Sequence, residues 1–434
     1  MKRIKFFSFA LALTAMALVS GGCDTGGDGS GGGGEDTGIV SKPAQLLSNA
    51  SYSQAVAKIA EIIAYCDAHP GENTGNLKSD SLTFISNITE DIWNEDSIAI
   101  INRINRMIDS LDGKTINVPS STLANALDWV SDNAVSGNNY IITLTGNETI
   151  GPRTLSYNEK VAGVTIEGGA AERKISLSTA GSLFSVGSGV TLRLGNNVTL
   201  QGRHDNNLSL VIVYGTLVMQ PGSRITGNKA SSSNFGGGVL VVPGSIFIMN
   251  GGEISGNTGV NGTGGGVEVS YGIFIMNGGE ISVNAVVGQG GAYGARGGGV
   301  SLSGAFIMNG GTISGNTASD YGGKGGGVHM FFNSTFTMNG GTISGNTAYE
   351  GGGVFVGSYG KFTKSGNSII YGDTDNNPDN GNATDNTATT GNGHAVFGGG
   401  DDGYYVTPVN KRNTTAGPGV NLDSTKDDAA GGWE

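Results

Sequence analysis

Three side chains of the kinds used in hydrolysis occupy equivalent positions in consecutive repeats. The motif Gly-Gly-Gly-Val-x-Val recurs along the second half of the chain, with Leu302 and Met330 in place of the last valine in two copies. Its variable position reads Leu240, Glu268, Ser301, His329 and Phe355. A serine, a histidine and an acid together can form a nucleophile, its base and the group that orients the base. Glu268, Ser301 and His329 therefore have to be weighed first as a candidate catalytic set.

The order of these residues argues against a catalytic triad. If the repeats stack as strands, Ser301 lies between Glu268 and His329, which are then about 10 Å apart, or two strand spacings. A triad needs the histidine in the middle, where it takes the serine proton while the acid orients it. The repeats also lack the paired carboxylates of glycosidic acid–base chemistry. We favour three solvated residues on a polar face, and the sequence assigns no catalytic residue.

Other motifs lack essential parts. Asp112-Gly-Lys-Thr115 resembles the end of a phosphate-binding loop, but Ile108 occupies the place of the first glycine. The oxygen-rich segment 373–379 has neither the glycine nor the terminal glutamate of an EF-hand in either reading frame. The four histidines are scattered. We therefore predict no metal site, no cofactor and no enzymatic activity.

The charge balance restricts the class of partner. The chain has 24 basic and 36 acidic residues, a formal net charge of −12. Nucleic-acid binding requires a basic face that neutralises phosphates. A nucleic-acid partner is therefore not expected.

The N-terminus is typical of an exported protein. Lys2, Arg3 and Lys5 precede an apolar run that is too short to span a bilayer permanently, and small residues follow. Residues 1–22 are thus predicted to be a signal peptide, and the Gly-, Ser- and Asp-rich residues 23–40 a flexible tether.

The segment ending in Ser20-Gly-Gly-Cys23 resembles the bacterial lipoprotein signal, with Ser20 where leucine is usual. The resemblance implies that Cys23 carries acyl chains such as palmitate, which would hold the protein on the cell envelope, at the outer membrane or cell surface. The alternative is plain cleavage with a free thiol. Cys66, the other cysteine, lies on an apolar helical stripe and is predicted to be a core residue, so no disulfide is expected.

The chain then divides by its hydrophobic period. Residues 41–116 show helical stripes, such as Val56, Ile59, Ile62 and Cys66, and are predicted to form a small α-helical region. Residues 117–139 contain one more amphipathic helix. From residue 140 the period changes from 3.6 to 2, with short strands separated by glycine and asparagine turns. This region, 140–372, is followed by an Asn/Asp-rich loop at 373–393 and by a last coil and tail at 394–434.

The repeats predict an all-β solenoid. Each repeat contains three strand-like segments, GGGV-x-V, F-x-M-N-G-G and x-I-S-G-N, and a chain built from such units stacks them along one axis. Like residues then lie above one another, and the expected columns include Phe247, Phe274, Phe306, Phe336 and Phe362. Glycine and asparagine suit the corners, where stacked asparagines can form amide ladders. The helix at 117–139 is expected to cap the first turn, since open sheet edges invite polymerisation.

The pattern GGGVxV…FxMNGGxISGNTA resembles the right-handed parallel β-helix of the pectin-lyase-like superfamily, and is similar to repeat lipoproteins and to polymorphic outer-membrane adhesins with GGA[IL] and FxxN repeats. The resemblance covers roughly residues 120–425. It implies a right-handed, three-sheet parallel β-helix with an N-terminal capping helix, preceded by the small helical region. It implies no single activity, since many functions share this scaffold.

Aromatic residues on both sides of the sheet that the GGGV-x-V strands are expected to form predict a binding surface. They recur before and after the GGGV-x-V strand, and the candidates are Phe235, Tyr271, Tyr293, Tyr321, Phe331, Tyr349 and Tyr359, with Phe332 beside them. Such rims stack on sugars or contact proteins; the alternative is that they pack loops onto the solenoid. A second candidate surface is the outward column Ile246, Ile248, Ile273, Ile275 and Ile307, which could instead dock the helical region.

These observations favour a non-catalytic, lipid-anchored envelope protein that binds a glycan or a host or cell-surface protein. The alternative is a polysaccharide lyase or glycoside hydrolase with a degenerate site.

Overall fold

The structure is a computed structural model that describes residues 42–69, 78, 81, 84, 88, 90–119, 122–231, 236–288, 294–319, 322–371, 386–392, 395–398, 410–412 and 421–423. The described residues form two compact units. One is helical and lies within residues 42–115 together with 136–139; the other comprises residues 116–135 and the described residues from 140 onward.

The helical unit contains helices α1 (Tyr52–Ala68) and α2 (Glu90–Asp109). Ser51 caps α1: its side chain accepts a hydrogen bond from the Gln54 backbone, and Gln54 Oε1 accepts one from the Ser51 backbone N–H. The apolar stripe of α1 is buried and includes Ile59, Ile62 and Cys66. Burial of Cys66 confirms its predicted core position, and desolvation raises the pKa of its thiol to about 11.

The larger unit is a parallel β-helix of about nine turns, preceded by helix α3 (Leu123–Asn133). Its strands form an eleven-stranded, a ten-stranded, a nine-stranded and a six-stranded sheet. The eleven-stranded sheet contains β1 (Thr115–Asn117), β2 (Asn139–Thr143), β5 (Ala162–Glu167), β8 (Val190–Leu194), β11 (Thr216–Met219), β15 (Ile246–Met249), β19 (Ile273–Met276), β23 (Ala305–Met308), β27 (Thr335–Met338), β31 (Lys361–Lys364) and β36 (Asn421–Asp423). The ten-stranded sheet contains β4 (Arg153–Leu155), β7 (Phe184–Val186), β10 (Val211–Val213), β14 (Val239–Val241), β18 (Val267–Val269), β22 (Val300–Leu302), β26 (Val328–Met330), β30 (Val354–Val356), β34 (Val396–Gly398) and β35 (Asn410–Arg412).

The remaining two sheets complete each turn. The nine-stranded sheet contains β3 (Glu148–Ile150), β6 (Arg173–Leu177), β9 (Val198–Gln201), β12 (Arg224–Thr226), β16 (Glu253–Ser255), β20 (Glu280–Ser282), β24 (Thr312–Ser314), β28 (Thr342–Ser344) and β32 (Ile369–Ile370). The six-stranded sheet contains β13 (Lys229–Ala230), β17 (Thr258–Val260), β21 (Ala285–Val287), β25 (Thr317–Ser319), β29 (Thr347–Glu350) and β33 (Thr387–Asn392).

The parallel β-helix and its three predicted strands per turn are confirmed, and a short fourth strand joins them. This strand follows the corner asparagine and contributes small inward side chains: Ala318 and Ala348 pack with Val286 and Ala295 in a cluster separate from the main core. The same strand occurs as β33 inside residues 373–393, which were predicted to be loop. There Asn386-Thr387-Ala388 repeats Asn346-Thr347-Ala348, with Thr387 paired to Thr347, so the turn resumes after the insertion.

The core consists of columns of like residues in register. Phe247, Phe274, Phe306 and Phe336 stack with ring centroids 4.6 Å apart and planes within 6° of parallel. Phe362 continues the stack at 5.0 Å. The neighbouring methionine column pairs Met249, Met276, Met308 and Met338 in the same register. Because each buried apolar side chain contributes roughly 1.5–3 kcal/mol, successive turns stabilise one another through a continuous core.

Asparagines form two amide ladders at the corners, as predicted. In the buried ladder, each Nδ2 donates to the Oδ1 one turn later: Asn257 to Asn284 over 3.1 Å and Asn284 to Asn316 over 3.0 Å. In the more exposed ladder, Asn277 donates to Oδ1 of Asn250 one turn earlier over 2.9 Å. The two ladders therefore point in opposite directions along the axis.

The first turn of the solenoid is covered, and so are the edges of two of its four sheets at the other end. Leu123, Ala126, Leu127 and Val130 of α3 belong to the same core cluster as the first turns, so α3 acts as the predicted cap. At the other end, β35 pairs with β34 and β36 pairs with β31, both antiparallel. These pairings occupy the exposed edges of two sheets, which would otherwise template polymerisation.

Candidate functional site

The variable positions of the Gly-Gly-Gly-Val-x-Val strands form one column on the outside of the ten-stranded sheet, which we call the outer column. In it, Glu268 pairs with Ser301, Ser301 with His329, and His329 with Phe355. The predicted order is therefore confirmed, with serine between the acid and the histidine. Consecutive members are one strand spacing apart, about 4.8 Å.

The prediction that these three residues are solvated is wrong for Ser301 and His329, and Glu268 is half-buried. Ser301 is 1 % exposed and His329 is 0 % exposed. The His329 ring stacks on Phe355 at 5.3 Å between centroids, and the edge of Phe331 meets it at 4.4 Å. The outward histidine is thus covered by aromatic neighbours that the strand pattern did not predict.

Two cations lie over these aromatic rings. The Arg296 guanidinium is 5.2 Å from the centre of the Phe331 ring, and Lys324 Nζ is 4.5 Å from that of Phe355. The backbones of these two residues are paired in isolated parallel β-bridges: Arg296 pairs with Thr263 and with Lys324, and Lys324 also pairs with Glu350. Cation–π contacts of this kind stabilise the covering layer of the column.

Burial changes the acid–base behaviour of Glu268. Desolvation raises the pKa of its carboxyl to about 8, against a smaller opposing effect of the neighbouring Thr263 side chain and Gly236 backbone. Within the part of the chain that the structure describes, Glu268 Oε2 has no hydrogen-bond partner. The carboxyl is therefore largely protonated at neutral pH.

The outer column does not provide an activated nucleophile. Ser301 Oγ is buried, and no described residue accepts its proton in a hydrogen bond. Nucleophilic catalysis requires a base in hydrogen-bond contact with the hydroxyl. Within the described ranges there is likewise no group of three His, Cys, Asp or Glu side chains that could hold a metal ion.

A second feature lies at the corner between the ten-stranded and eleven-stranded sheets. Four aromatic side chains project there into solvent: Tyr214 at 49 %, Tyr271 at 66 %, Phe332 at 51 % and Tyr359 at 56 % exposure. They follow strands β10, β18, β26 and β30, so they lie on one side of the solenoid. We call these four residues the aromatic corner. The other described Phe, Tyr and Trp side chains are buried or half-buried.

The backbone of the aromatic corner is unusual. Tyr271 has φ 56° and Tyr359 has φ 58°, and Asn333, beside Phe332, has φ 58°. The left-handed conformation costs a tyrosine roughly 1–2 kcal/mol, a cost that glycine escapes and asparagine partly offsets. Tyr271 and Tyr359 therefore occupy positions where stability alone favours glycine or asparagine, and strain of this kind is concentrated at functional sites.

The aromatic corner is also uncharged. Seven consecutive corner segments contain no Lys, Arg, Asp or Glu: 187–189, 214–215, 242–245, 270–272, 303–304, 331–334 and 357–360. The polar side chains of the corner segments are neutral, and Ser270, Ser303 and Asn333 are at least partly exposed, whereas Ser245, Ser334 and Ser358 are buried. The corner thus offers aromatic faces and neutral hydrogen-bonding groups.

The predicted binding residues fall into different places. Tyr271 and Tyr359 lie on the aromatic corner, Phe331 packs into the cover of the outer column, and Tyr349 is half-buried in β29. Phe235, Tyr293, Tyr321 and the lipidation candidate Cys23 lie outside the described residues. The outward isoleucine column does not form an exposed patch, because Ile246, Ile248, Ile273, Ile275 and Ile307 are 0–4 % exposed.

Tyr214 was missed from the sequence. Its turn has neither the Gly-Gly-Gly-Val motif nor the Phe-x-Met-Asn motif that marks the later repeats. The signal that could have found it is the alternation in VIVYGTLVM, where an aromatic precedes the corner glycine between two short strands.

Comparison with models of known protein families, with curated proteins and with solved structures finds no match. The structure itself shows a parallel β-solenoid of about nine turns. No helix in the described ranges is long and apolar enough to cross a bilayer.

Proposed function

We propose that the protein is a non-catalytic, lipid-anchored envelope protein whose β-helix presents the aromatic corner to an external ligand. The observation that carries this proposal is the alignment of Tyr214, Tyr271, Phe332 and Tyr359, all about half exposed or more, on one side of a rigid scaffold. Exposed aromatic rings in a row favour binding, since they bring large contact area with little loss of conformational entropy. The lipid signal ending at Cys23 supports the envelope location.

A ligand screen tests the binding part of the proposal. The full-length protein in detergent is assayed against immobilised glycans and extracellular matrix proteins, beside the variant Tyr271→Asn/Tyr359→Asn. Asparagine tolerates the left-handed backbone, as Asn333 does at the same corner. We expect a ligand that binds the wild type and is lost by the double variant. Tyr349→Ala is the matched control, because Tyr349 lies in β29 and away from this corner; equal binding by the wild type and the double variant would overturn the proposal.

The anchoring part is tested separately. Metabolic labelling with an alkyne fatty acid is expected to mark the wild type and to fail for Cys23→Ser, which should leave the membrane fraction. Unlabelled wild-type protein in the soluble fraction would contradict lipid anchoring without affecting the binding result.

One observation favours a second candidate, a glycan-cleaving enzyme. The pKa of Glu268, raised to about 8, is that of a general acid held in its protonated form. The same glycan panel is incubated with the protein and analysed for shorter products. Product release that is lost in Glu268→Gln but kept in Tyr271→Asn would establish catalysis in place of binding; the buried Ser301 and His329 lead us to expect none.

A further inference from the structure

The first three rings of the aromatic corner are spaced two turns apart along the solenoid axis, and the fourth follows one turn later. Tyr214 follows β10 and Tyr271 follows β18, with the strand β14 between them. Phe332 follows β26, with β22 between it and β18, and Tyr359 follows the next strand, β30. Two turns correspond to about 9–10 Å, and the whole row spans five strand spacings, or about 24 Å.

The charge of the surface restricts the ligand. The seven corner segments have no ionisable side chain, and the chain as a whole has a net charge of −12. A polyanion such as an acidic polysaccharide or a nucleic acid would meet no cation within these segments, only the exposed Lys361 directly after the last of them, and an unfavourable long-range field. A ligand of the aromatic corner is therefore uncharged.

The chemistry of the surface restricts it further. A pyranose ring has a face formed by C–H groups, which stacks on an aromatic ring, and a rim of hydroxyls, which needs neutral donors and acceptors. The exposed rings are accompanied by such groups at Ser270, Ser303 and Asn333. A ligand that repeats along a straight line matches rings that repeat along an axis, and the step of two turns is comparable to a disaccharide in an extended chain.

Resting on the proposed function, we infer that the aromatic corner binds a linear, neutral polysaccharide laid parallel to the solenoid axis. Tyr214, Tyr271 and Phe332 stack on sugars one disaccharide apart. Tyr359 extends the contact by one turn and meets the Phe332 ring edge-on, with 5.0 Å between the centroids. The adjacent neutral side chains bond the hydroxyls. The competing outcome is a protein ligand, whose side chains would contact the same rings but would not repeat at the spacing of a sugar chain.

Calorimetric titration of the full-length protein in detergent tests the inference. The probes are cello-oligosaccharides and chito-oligosaccharides with two, four, six and eight sugars, and polygalacturonate as the anionic polymer. We expect the affinity for at least one neutral series to rise stepwise with length, with little dependence on salt, and no binding of polygalacturonate. Each ring removed, by Tyr214→Asn, Tyr271→Asn or Phe332→Asn, is expected to weaken binding roughly two- to tenfold.

The controls separate the role of the rings from other effects. Tyr271→Phe keeps the ring and should bind within about twofold of the wild type, whereas Tyr349→Ala should be unchanged. Circular dichroism checks the fold of each variant. Because these side chains are exposed, we expect the fold to be kept. Affinity that does not depend on oligosaccharide length, or binding that requires negative charge, overturns the polysaccharide inference.

Failure of this inference can be told from failure of the proposed function. If no oligosaccharide binds but a matrix protein does, and that binding is lost in Tyr271→Asn/Tyr359→Asn, the inference is wrong and the proposed function stands. If no ligand of either kind depends on the rings, both are wrong.

Discussion

Asn284 donates two hydrogen bonds to a single atom of Asn316. Its backbone nitrogen and its side-chain Nδ2 both lie 3.0 Å from Asn316 Oδ1, one turn further along the axis. Asn257 makes the same pair of bonds to Asn284, and Asn346 makes it to Asn386. The side-chain oxygen of each asparagine thus accepts hydrogen bonds from the backbone and side chain of the asparagine one turn earlier. Its own backbone and side-chain nitrogens donate to the asparagine one turn later.

The buried ladder is predicted to contribute much more to stability than the exposed one. Asn284→Ala removes the acceptor for two buried donors of Asn257, so we expect a loss of about 3 kcal/mol or more in the free energy of unfolding. Asn309→Ala, in the exposed ladder, should cost about 1 kcal/mol or less, because water replaces the lost partner. Urea unfolding followed by circular dichroism measures both; equal losses would show that burial of the ladder has no energetic role.

The phenylalanine stack gives a second prediction. The ring centroid of Phe306 lies 4.6 Å from those of Phe274 and Phe336, and the side chain is completely buried. We expect Phe306→Ala to lower the free energy of unfolding by about 3–5 kcal/mol through loss of burial and creation of a cavity, and Phe306→Leu by clearly less. Phe332→Asn is the control: an exposed ring on the same solenoid that loses only an edge contact with Tyr359, so its removal should cost about 1 kcal/mol or less. A loss below about 1 kcal/mol for Phe306→Ala would contradict a close-packed column.

Val283 is predicted to be a position where a smaller residue stabilises. It is 68 % exposed with φ 55°, and the residues at the same corner of the other turns are Gly256, Gly315 and Gly345, with φ of 62–63°. A β-branched side chain is strained in this conformation. We expect Val283→Gly to raise the free energy of unfolding by roughly 1–2 kcal/mol, and the reverse change Gly315→Val to lower it by a similar amount. A lower thermal midpoint for Val283→Gly would show that the valine makes a stabilising contact.

The outer column predicts a pH dependence of stability. The pKa of Glu268 is about 8 in the folded chain against an ordinary value of 4.5, so between these values the unfolded chain releases a proton that the folded chain keeps. The contribution of Glu268 is therefore complete below about pH 4.5, falls as pH rises to about 8, by at most about 1.4 kcal/mol per pH unit, and is lost above that.

Glu268→Gln should remove this dependence, because the amide is neutral throughout. Urea midpoints measured from pH 5 to 9 are compared for the wild type, Glu268→Gln and the exposed control Glu280→Gln. The control should keep the wild-type slope. If Glu268→Gln keeps it as well, the carboxyl is not desolvated.

The solenoid could be predicted from the sequence because its turns have nearly identical sequences. Phe274 and Phe306, or Asn284 and Asn316, share the same local sequence, so their register follows from aligning the repeats. The fourth strand could not be found this way, since Thr317-Ala-Ser319 is short and has only Ala318 as an inward apolar side chain. Its signal is the recurrence of threonine and alanine after the corner asparagine.

The candidate site was less predictable for a physical reason. Whether an outward residue is solvated depends on the side chains that cover it. Phe331 covers His329 from the same turn and Lys324 lies over Phe355 of the next turn, and the alternation of a strand does not predict either contact. Exposure at the corner likewise depends on local loop length. Phe331 and Phe332 are neighbours in sequence, yet one covers His329 and the other extends into solvent.

The central claim is that equivalent residues of successive turns lie directly above one another, and disulfide trapping tests it most directly. In a Cys23→Ser/Cys66→Ser background, the pair Asn277→Cys/Asn309→Cys joins adjacent turns, as shown by the 2.8 Å bond between the two amides. Its Cα atoms, one strand spacing apart at about 4.8 Å, suit a disulfide, whereas those of Asn277→Cys/Asn339→Cys, about 9–10 Å apart, do not. Under mild oxidation, measured by mass spectrometry of tryptic peptides, we predict cross-linking of the first pair and none of the second; cross-linking of the second pair, or of neither, would contradict the in-register solenoid.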